Sequence, residues 1–206
     1  IGNPVMHHGR MLSRDYTFGD FVVGKSNDFA YSAALSLASS ETNHNNSLFL
    51  LSNTGMGKSH LSQAIGHHVI AEKPSERVYY ITAEDFTNEM INSFNTKTSD
   101  KFKRKYRNQC DVLLLEDIHF LSGKEHTQVE LSMTLDYLFE SGKKIMFSSC
   151  SLPGDIPKMS DQLKSRFSSC LFSKIERPVF NTRVKILRQK AKKAKVHVPD
   201  EIIEYL

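Results

Sequence analysis

Short apolar runs alternate along this chain with stretches of helical periodicity. Leu48 to Leu51, Val78 to Ile81, Val112 to Leu115, Lys144 to Ser148 and Leu171 to Ile175 are near-continuously apolar, aromatic or β-branched. Runs of that kind predict strands covered on both faces. Between them, Lys58 to Ala71 carries Leu61, Ala64, Ile65 and Val69 at helical spacing, and Glu84 to Phe94 and Thr127 to Phe139 show the same period. Alternation of this sort predicts an α/β fold, a parallel sheet sandwiched by helices with right-handed crossovers. Before the first strand, Ser26-Asn27 reads as an N-cap for a helix through Ala30, Ala33, Ala34 and Leu37, and Ser39 to Asn46 reads as a polar loop. After the last strand, Pro178 breaks the chain, and Asn181 or Thr182 is placed to cap a helix with Val184, Ile186, Leu187 and Ala191. Pro199-Asp200-Glu201 suits the first turn of another helix, with Ile202, Ile203 and Leu206 as its apolar face.

Chemistry concentrates where the first strand meets its helix, in Ser52-Asn53-Thr54-Gly55-Met56-Gly57-Lys58-Ser59. A phosphate loop needs glycines so that successive N–H groups can curl around a phosphate. It also needs a Lys for the β/γ oxygens and a Ser or Thr hydroxyl for Mg²⁺. Gly57, Lys58 and Ser59 supply the second half of that pattern; Ser52 stands where its first glycine belongs. Further on, the run Val112 to Leu115 ends in Glu116-Asp117, the position from which such a protein holds Mg²⁺ and orients an attacking water. The bland alternative is a tight glycine turn followed by an ordinary buried strand with solvated carboxylates.

Composition narrows the setting. A chain of 206 residues buries roughly 70% of its unfolded surface on folding, enough for a sizeable core. Cys110, Cys150 and Cys170 are an odd, widely spaced set without C-x-x-C, which reads as reduced thiols of a cytoplasmic protein. The pairs His7-His8 and His67-His68 lack partner ligands at metal spacing, and His7-His8 reads as linker sequence. Nothing resembles a membrane span or a signal peptide. The net charge of +4 is compatible with nucleic acid and decides nothing alone. The start at Ile1 rather than Met, and an ending within a helical pattern, predict a piece of a longer polypeptide.

Further blocks carry a specific resemblance. They are Tyr16-Thr17-Phe18, Phe21-Val22-Val23-Gly24 with Ser26-Asn27, and Gly57-Lys58-Ser59-His60-Leu61. They continue with Phe86-Thr87-Asn88-Glu89-Met90-Ile91-Asn92-Ser93, Tyr106-Arg107-Asn108, Asp117-Ile118-His119-Phe120-Leu121, Leu163-Lys164-Ser165-Arg166-Phe167 and Thr182-Arg183-Val184. In this order they resemble the AAA+ core of the DnaA family of bacterial chromosomal replication initiators, from about Tyr16 to Leu206. The resemblance implies a linker over 1–15, a P-loop NTPase (AAA+) core over 16–176 and the start of a small helical lid over 177–206. It implies ATP or ADP with Mg²⁺, the adenine cupped by Val22 and Val23, the phosphate held by Lys58 and Ser59, and Asn53, Thr54, Gly55, Met56, Gly57 and His60 as further residues that bind the cofactor. Ser59 and Glu116 would face the metal. Glu116 and Asp117 would serve hydrolysis, with Arg166 as the arginine finger that reaches a neighbouring subunit's γ-phosphate. Ile91, Arg107, Lys124 and His126 fall at positions implied to contact DNA. The partners implied are single-stranded DNA, further copies of the chain in an ATP-dependent oligomer, a replicative helicase or other initiator partners, and duplex origin DNA through a helix-turn-helix domain outside this chain.

Departures from the family pattern bear on mechanism. Glu116 replaces an Asp, Cys150 replaces an Asp at the sensor position, and Gln162 and His126 replace arginines for subunit and DNA contact. A thiol cannot polarise water as a carboxylate does. The expectation is therefore a nucleotide switch with slow hydrolysis at most, and the lid arginine that would complete the pocket falls beyond Leu206. A DnaA-like regulatory adaptor that docks on the initiator is the alternative. A P-loop small-molecule kinase gives no reason for the 86–93 block. For Phe86, Met90 and Phe94 the expectation is a core stripe, and for the Lys101 to Arg107 cluster either a solvated helix face or a phosphate track.

Overall fold

The computed structural model describes residues 8–39 and 46–205. The expected linker residues 1–7, the expected loop over 40–45 and Leu206 lie outside them. The strands are β1 (His8–Gly9), β2 (Ser47–Leu51), β3 (Val78–Thr82), β4 (Val112–Glu116), β5 (Lys144–Ser149) and β6 (Leu171–Lys174). They form one sheet in the order β1-β3-β4-β5-β2-β6, every pair parallel. Helices α1 (Asp28–Ala38) and α2 (Lys58–Glu72) cover one face. The other face is covered by α3 (Ala83–Asn95), α4 (Ser99–Arg107), α5 (Glu125–Glu140) and α6 (Asp161–Ser168). Alternation within a strand divides the core: Leu48, Leu50, Leu114 and Met146 face α1 and α2, whereas Phe49, Leu113, Leu115 and Phe147 face the second layer. After β6 come α7 (Phe180–Ala194) and α8 (Asp200–Tyr205).

Three expectations are corrected here. Residues 8–15, read as linker, are fastened to the sheet: β1 pairs with β3, and Leu12 packs on the core over Gly66. Asn27 does not cap α1 with its side chain; Oδ1 accepts the Gly24 N–H at 2.8 Å and Nδ2 donates to the Val22 carbonyl at 3.0 Å, bracing the preceding turn. On α7 the cap position is Val179, two residues before Asn181 and three before Thr182, and Thr182 is buried against Gly24.

One ion-pair cluster, at the end of β4 opposite Glu116, secures the start of that strand. Asp111 accepts from Arg77 Nε at 2.9 Å and from Lys143 Nζ at 2.7 Å. Burial alone would raise its pKa, but the hydrogen bonds from Arg77 and Lys143 outweigh that and bring it to about 2. A folded-state pKa below the unfolded value stabilises the fold above pH ~4, and the contribution is lost as pH falls through about 2. Asp111→Asn is expected to cost about 2 kcal/mol near neutral pH. Urea denaturation at stepped pH should show the gap between variant and parent closing below pH ~4.

Candidate nucleotide-binding site

In a parallel sheet, ligands bind outside the carboxyl ends of the strands. Here β2, β5 and β4 are neighbours, so their ends bring together the loop Ser52–Gly57, Cys150 and the pair Glu116-Asp117. The loop bends at Gly55 (φ 80°) and at Gly57 (φ 107°), the cap of α2. Both values suit glycine alone, and a Cβ on Gly57 would lie 2.9 Å from the Phe21 ring. Ser52 has no positive φ, so the missing first glycine costs the backbone nothing. Asn53, Thr54 and Gly55 are exposed, Met56 half-buried, and the open N-terminus of the 15-residue α2 aims its free N–H groups into the same space.

Lys58 is buried and turned back onto the loop, donating to the Ser52 carbonyl at 2.7 Å and the Asn53 carbonyl at 3.1 Å. Burial lowers its pKa, offset in part by Asp117, Cys150 and Glu116. Ser59 Oγ donates to Glu116 Oε2 at 2.8 Å, so the hydroxyl and carboxylate expected at a metal already touch. Glu116 is buried, and burial raises its pKa against the pull of the Ser59 bond. Its Oε1 is buried without a hydrogen bond, an acceptor left over. Two hard oxygen groups side by side with a spare buried acceptor suit Mg²⁺ in donor type and charge. Asp117 takes a left-handed conformation (φ 57°), which Asp tolerates, and its N–H donates to Ser148 Oγ at 3.2 Å. Cys150 is exposed at the end of β5, with Ser151 Oγ 3.9 Å away.

Val22 is half-buried and Val23 exposed on the turn that Asn27 braces, against Thr182 of α7. His60 serves differently from expectation. Its Nε2 donates to the Thr17 carbonyl at 2.8 Å and its ring stacks on Tyr16, so the side chain pins the segment before α1 rather than facing phosphate. Arg166 on α6 ion-pairs with Asp136 of α5 at 2.6 Å while 43% of its side chain stays exposed.

The DNA positions divide. Ile91 is 48% exposed on α3, Lys124 half-buried at the start of α5 and His126 exposed. Arg107 turns inward instead, pairing with Glu130 of α5 and donating to Thr134 at 3.5 Å. Phe94, expected in the core, is 54% exposed, whereas Phe86 and Met90 are buried. On α4, Phe102 and Tyr106 are buried, Lys105 pairs with Glu89, and Lys101 and Arg104 face solvent. The sequence reading passed over Asp136 and Tyr80, whose roles depend on strand and helix neighbours that only the packing reveals.

A parallel sheet in this order, with a glycine loop ending one strand and a carboxylate pair ending another, defines a P-loop NTPase core of the AAA+ type. Residues 12–174 match the bacterial DnaA ATPase domain. Over 203 residues the chain is 55% identical to the chromosomal replication initiator protein DnaA of Desulfatibacillum aliphaticivorans, covering 98% of this chain and 45% of that protein. Domain III of the Thermotoga maritima replication initiation protein DnaA superposes with a TM-score of 0.91 at 39% identity, over 95% of this chain and 81% of that one. AMPPCP-bound DnaA from Aquifex aeolicus and a replication initiator DnaA bound to AMPPCP and single-stranded DNA each give 0.86 at 34% identity, over 96% of this chain and 60% of theirs. The chain belongs to the bacterial DnaA ATPase domain family, and it spans less than half the length of the Desulfatibacillum relative.

Proposed function

We propose that this chain is the ATP- and ADP-binding switch of a replication initiator, whose ATP state assembles copies on origin DNA and promotes strand opening. The observation that carries the reading is the convergence of Lys58, Ser59 and Glu116 outside the ends of β2 and β4, the two strands that flank β5. Lys58 exchanges the Ser52 and Asn53 carbonyls for β/γ-phosphate oxygens, a charge-assisted contact in place of a neutral one. Loop N–H groups and the α2 terminus cradle the phosphates. Ser59 and Glu116 would hold Mg²⁺, which would supply charge neutralisation to the bound phosphates. Val22 and Val23 close on the adenine, and Thr182 couples that turn to the lid helix.

Arg166, exposed on α6, reaches a neighbouring subunit's γ-phosphate and so reads ATP against ADP. Ile91, with Phe94 beside it, offers an apolar contact to a single strand; Lys124 and His126 lie at the second contact region. The match to a relative solved with AMPPCP and single-stranded DNA supports both halves of this reading. Duplex origin recognition, helicase contact and a cytoplasmic setting belong to the same proposal for the longer protein. Among the described residues no helix is long and apolar enough to cross a membrane.

Cys150 puts a thiol where the family has a carboxylate to polarise water, so turnover is expected to be slow. Calorimetry with ATP, ADP and a non-hydrolysable analogue in Mg²⁺ should show saturable binding of each. Hydrolysis at roughly 1 s⁻¹ or faster, the scale of ordinary enzymes, would contradict the switch.

A further inference from the structure

Tyr80 and Gln63 are buried beside the site, and neither holds phosphate or metal in the reading above. The register of β3 on β4 sets Tyr80 opposite Leu114 and Thr82 opposite Glu116. Side chains alternate along a strand, so Tyr80, Leu114 and Glu116 share the face under α2, and the diagonal from Tyr80 to Glu116 is within reach of an aromatic side chain. Gln63 Nε2 donates to Tyr80 Oη at 2.9 Å. Having accepted that bond, the phenol keeps its own proton to give. A phenol is protonated at neutral pH, so the hydroxyl is available to donate. Of the Glu116 oxygens, Oε2 is taken by Ser59, and Oε1 is buried without a hydrogen bond.

The same two residues also anchor the chain that leads into the core. Gln63 Oε1 accepts the Ser13 N–H at 2.6 Å, and the Tyr80 carbonyl accepts the Arg10 N–H at 2.8 Å. Residues 10–13 are thus tied to Tyr80 through its backbone and, by way of Gln63, through its hydroxyl.

We propose that Tyr80 is a positioning residue for Glu116, its hydroxyl becoming the donor to the free Oε1 when Ser59 turns to a metal, and that Gln63 couples this placement to the seating of residues 10–13. The inference rests on the nucleotide-binding reading above. Once Ser59 faces a metal, Glu116 loses that donor, and Tyr80 is the hydroxyl held in place from behind. Ser62, the other hydroxyl near the carboxylate, is buried with no such brace. Groups that hold a metal ligand in this way tune affinity without touching the metal.

Tyr80→Phe removes one oxygen and keeps the packed ring. With ATP present, the Mg²⁺ concentration that gives half of the thermal stabilisation should rise about three- to tenfold, the scale of one hydrogen bond, while the shift without Mg²⁺ is unchanged. Gln63→Met should raise the same midpoint although the tyrosine is intact. In the nucleotide-free protein, exchange of the Ser13 amide should quicken by a similar factor in Tyr80→Phe, because Gln63 has lost its acceptor. An unchanged Mg²⁺ midpoint in Tyr80→Phe overturns the positioning role, and unchanged Ser13 exchange overturns the coupling. A parent protein that ignores every nucleotide contradicts the function proposed above, and the exchange experiment, which needs none, still decides the coupling.

Discussion

Lys58→Ala is expected to abolish nucleotide-dependent stabilisation while leaving the chain folded. At a ligand concentration ~1,000 times its Kd, the parent gains roughly 4 kcal/mol, a large displacement of its melting transition. The variant should show none of that shift with ATP, ADP or a non-hydrolysable analogue. Lys58 is the cation at the loop, and its present partners are two loop carbonyls, which the helix N–H groups cannot replace as a counter-charge for phosphate. Its removal costs the empty fold little, because a buried ammonium carries a desolvation penalty that its carbonyl contacts only partly return. Thermal denaturation with and without ligand checks both halves: a variant that still shifts by the parental amount would take the loop out of phosphate binding.

Arg166→Ala should behave in the opposite way. Nucleotide stabilisation of the single chain should stay at the parental value, because in the proposed switch the arginine serves the neighbouring subunit. ATP-dependent association weakens roughly ten- to hundredfold, the value of charged hydrogen bonds lost at a desolvated phosphate. The stability of the isolated chain should change by at most about 1 kcal/mol, since the Asp136 pair is partly exposed on both sides. Sedimentation across a concentration series, with the ATP analogue and with ADP, separates these quantities. An equal loss of association in both nucleotides would mark Arg166 as an ordinary interface residue rather than a reader of the γ-phosphate.

The order of elements and the phosphate loop were legible along the chain because each is written locally. A strand buried on both faces shows as an apolar run such as Val112 to Leu115, and a phosphate turn shows as glycines at Gly55 and Gly57, which adopt the positive φ they permit. Glu116 was legible for the same reason, as a carboxylate ending such a run. What stayed hidden depends on partners distant in sequence. β1 is two residues long and carries no apolar pattern; it exists because β3 offers an open edge. His60 follows the loop and reads as part of it, yet helical rotation turns its ring to Thr17 and Tyr16. Arg107 sits in a basic cluster that suggests DNA, and Glu130, on another helix, claims it. Phe94 fits a stripe with Phe86 and Met90 on spacing alone, but it lies in the last turn of α3, where the helix leaves the core. Asn27 has the residue type of a cap and spends both ends of its amide on the Val22–Gly24 turn.

Sedimentation of the parent chain on a single-stranded oligonucleotide, with the ATP analogue and with ADP, tests the nucleotide switch most directly. Multimers on the strand with the analogue, and single chains or none with ADP, are the result expected. Identical assembly in the two nucleotides would contradict it, because a site that binds both but distinguishes neither across the Arg166 edge is no switch.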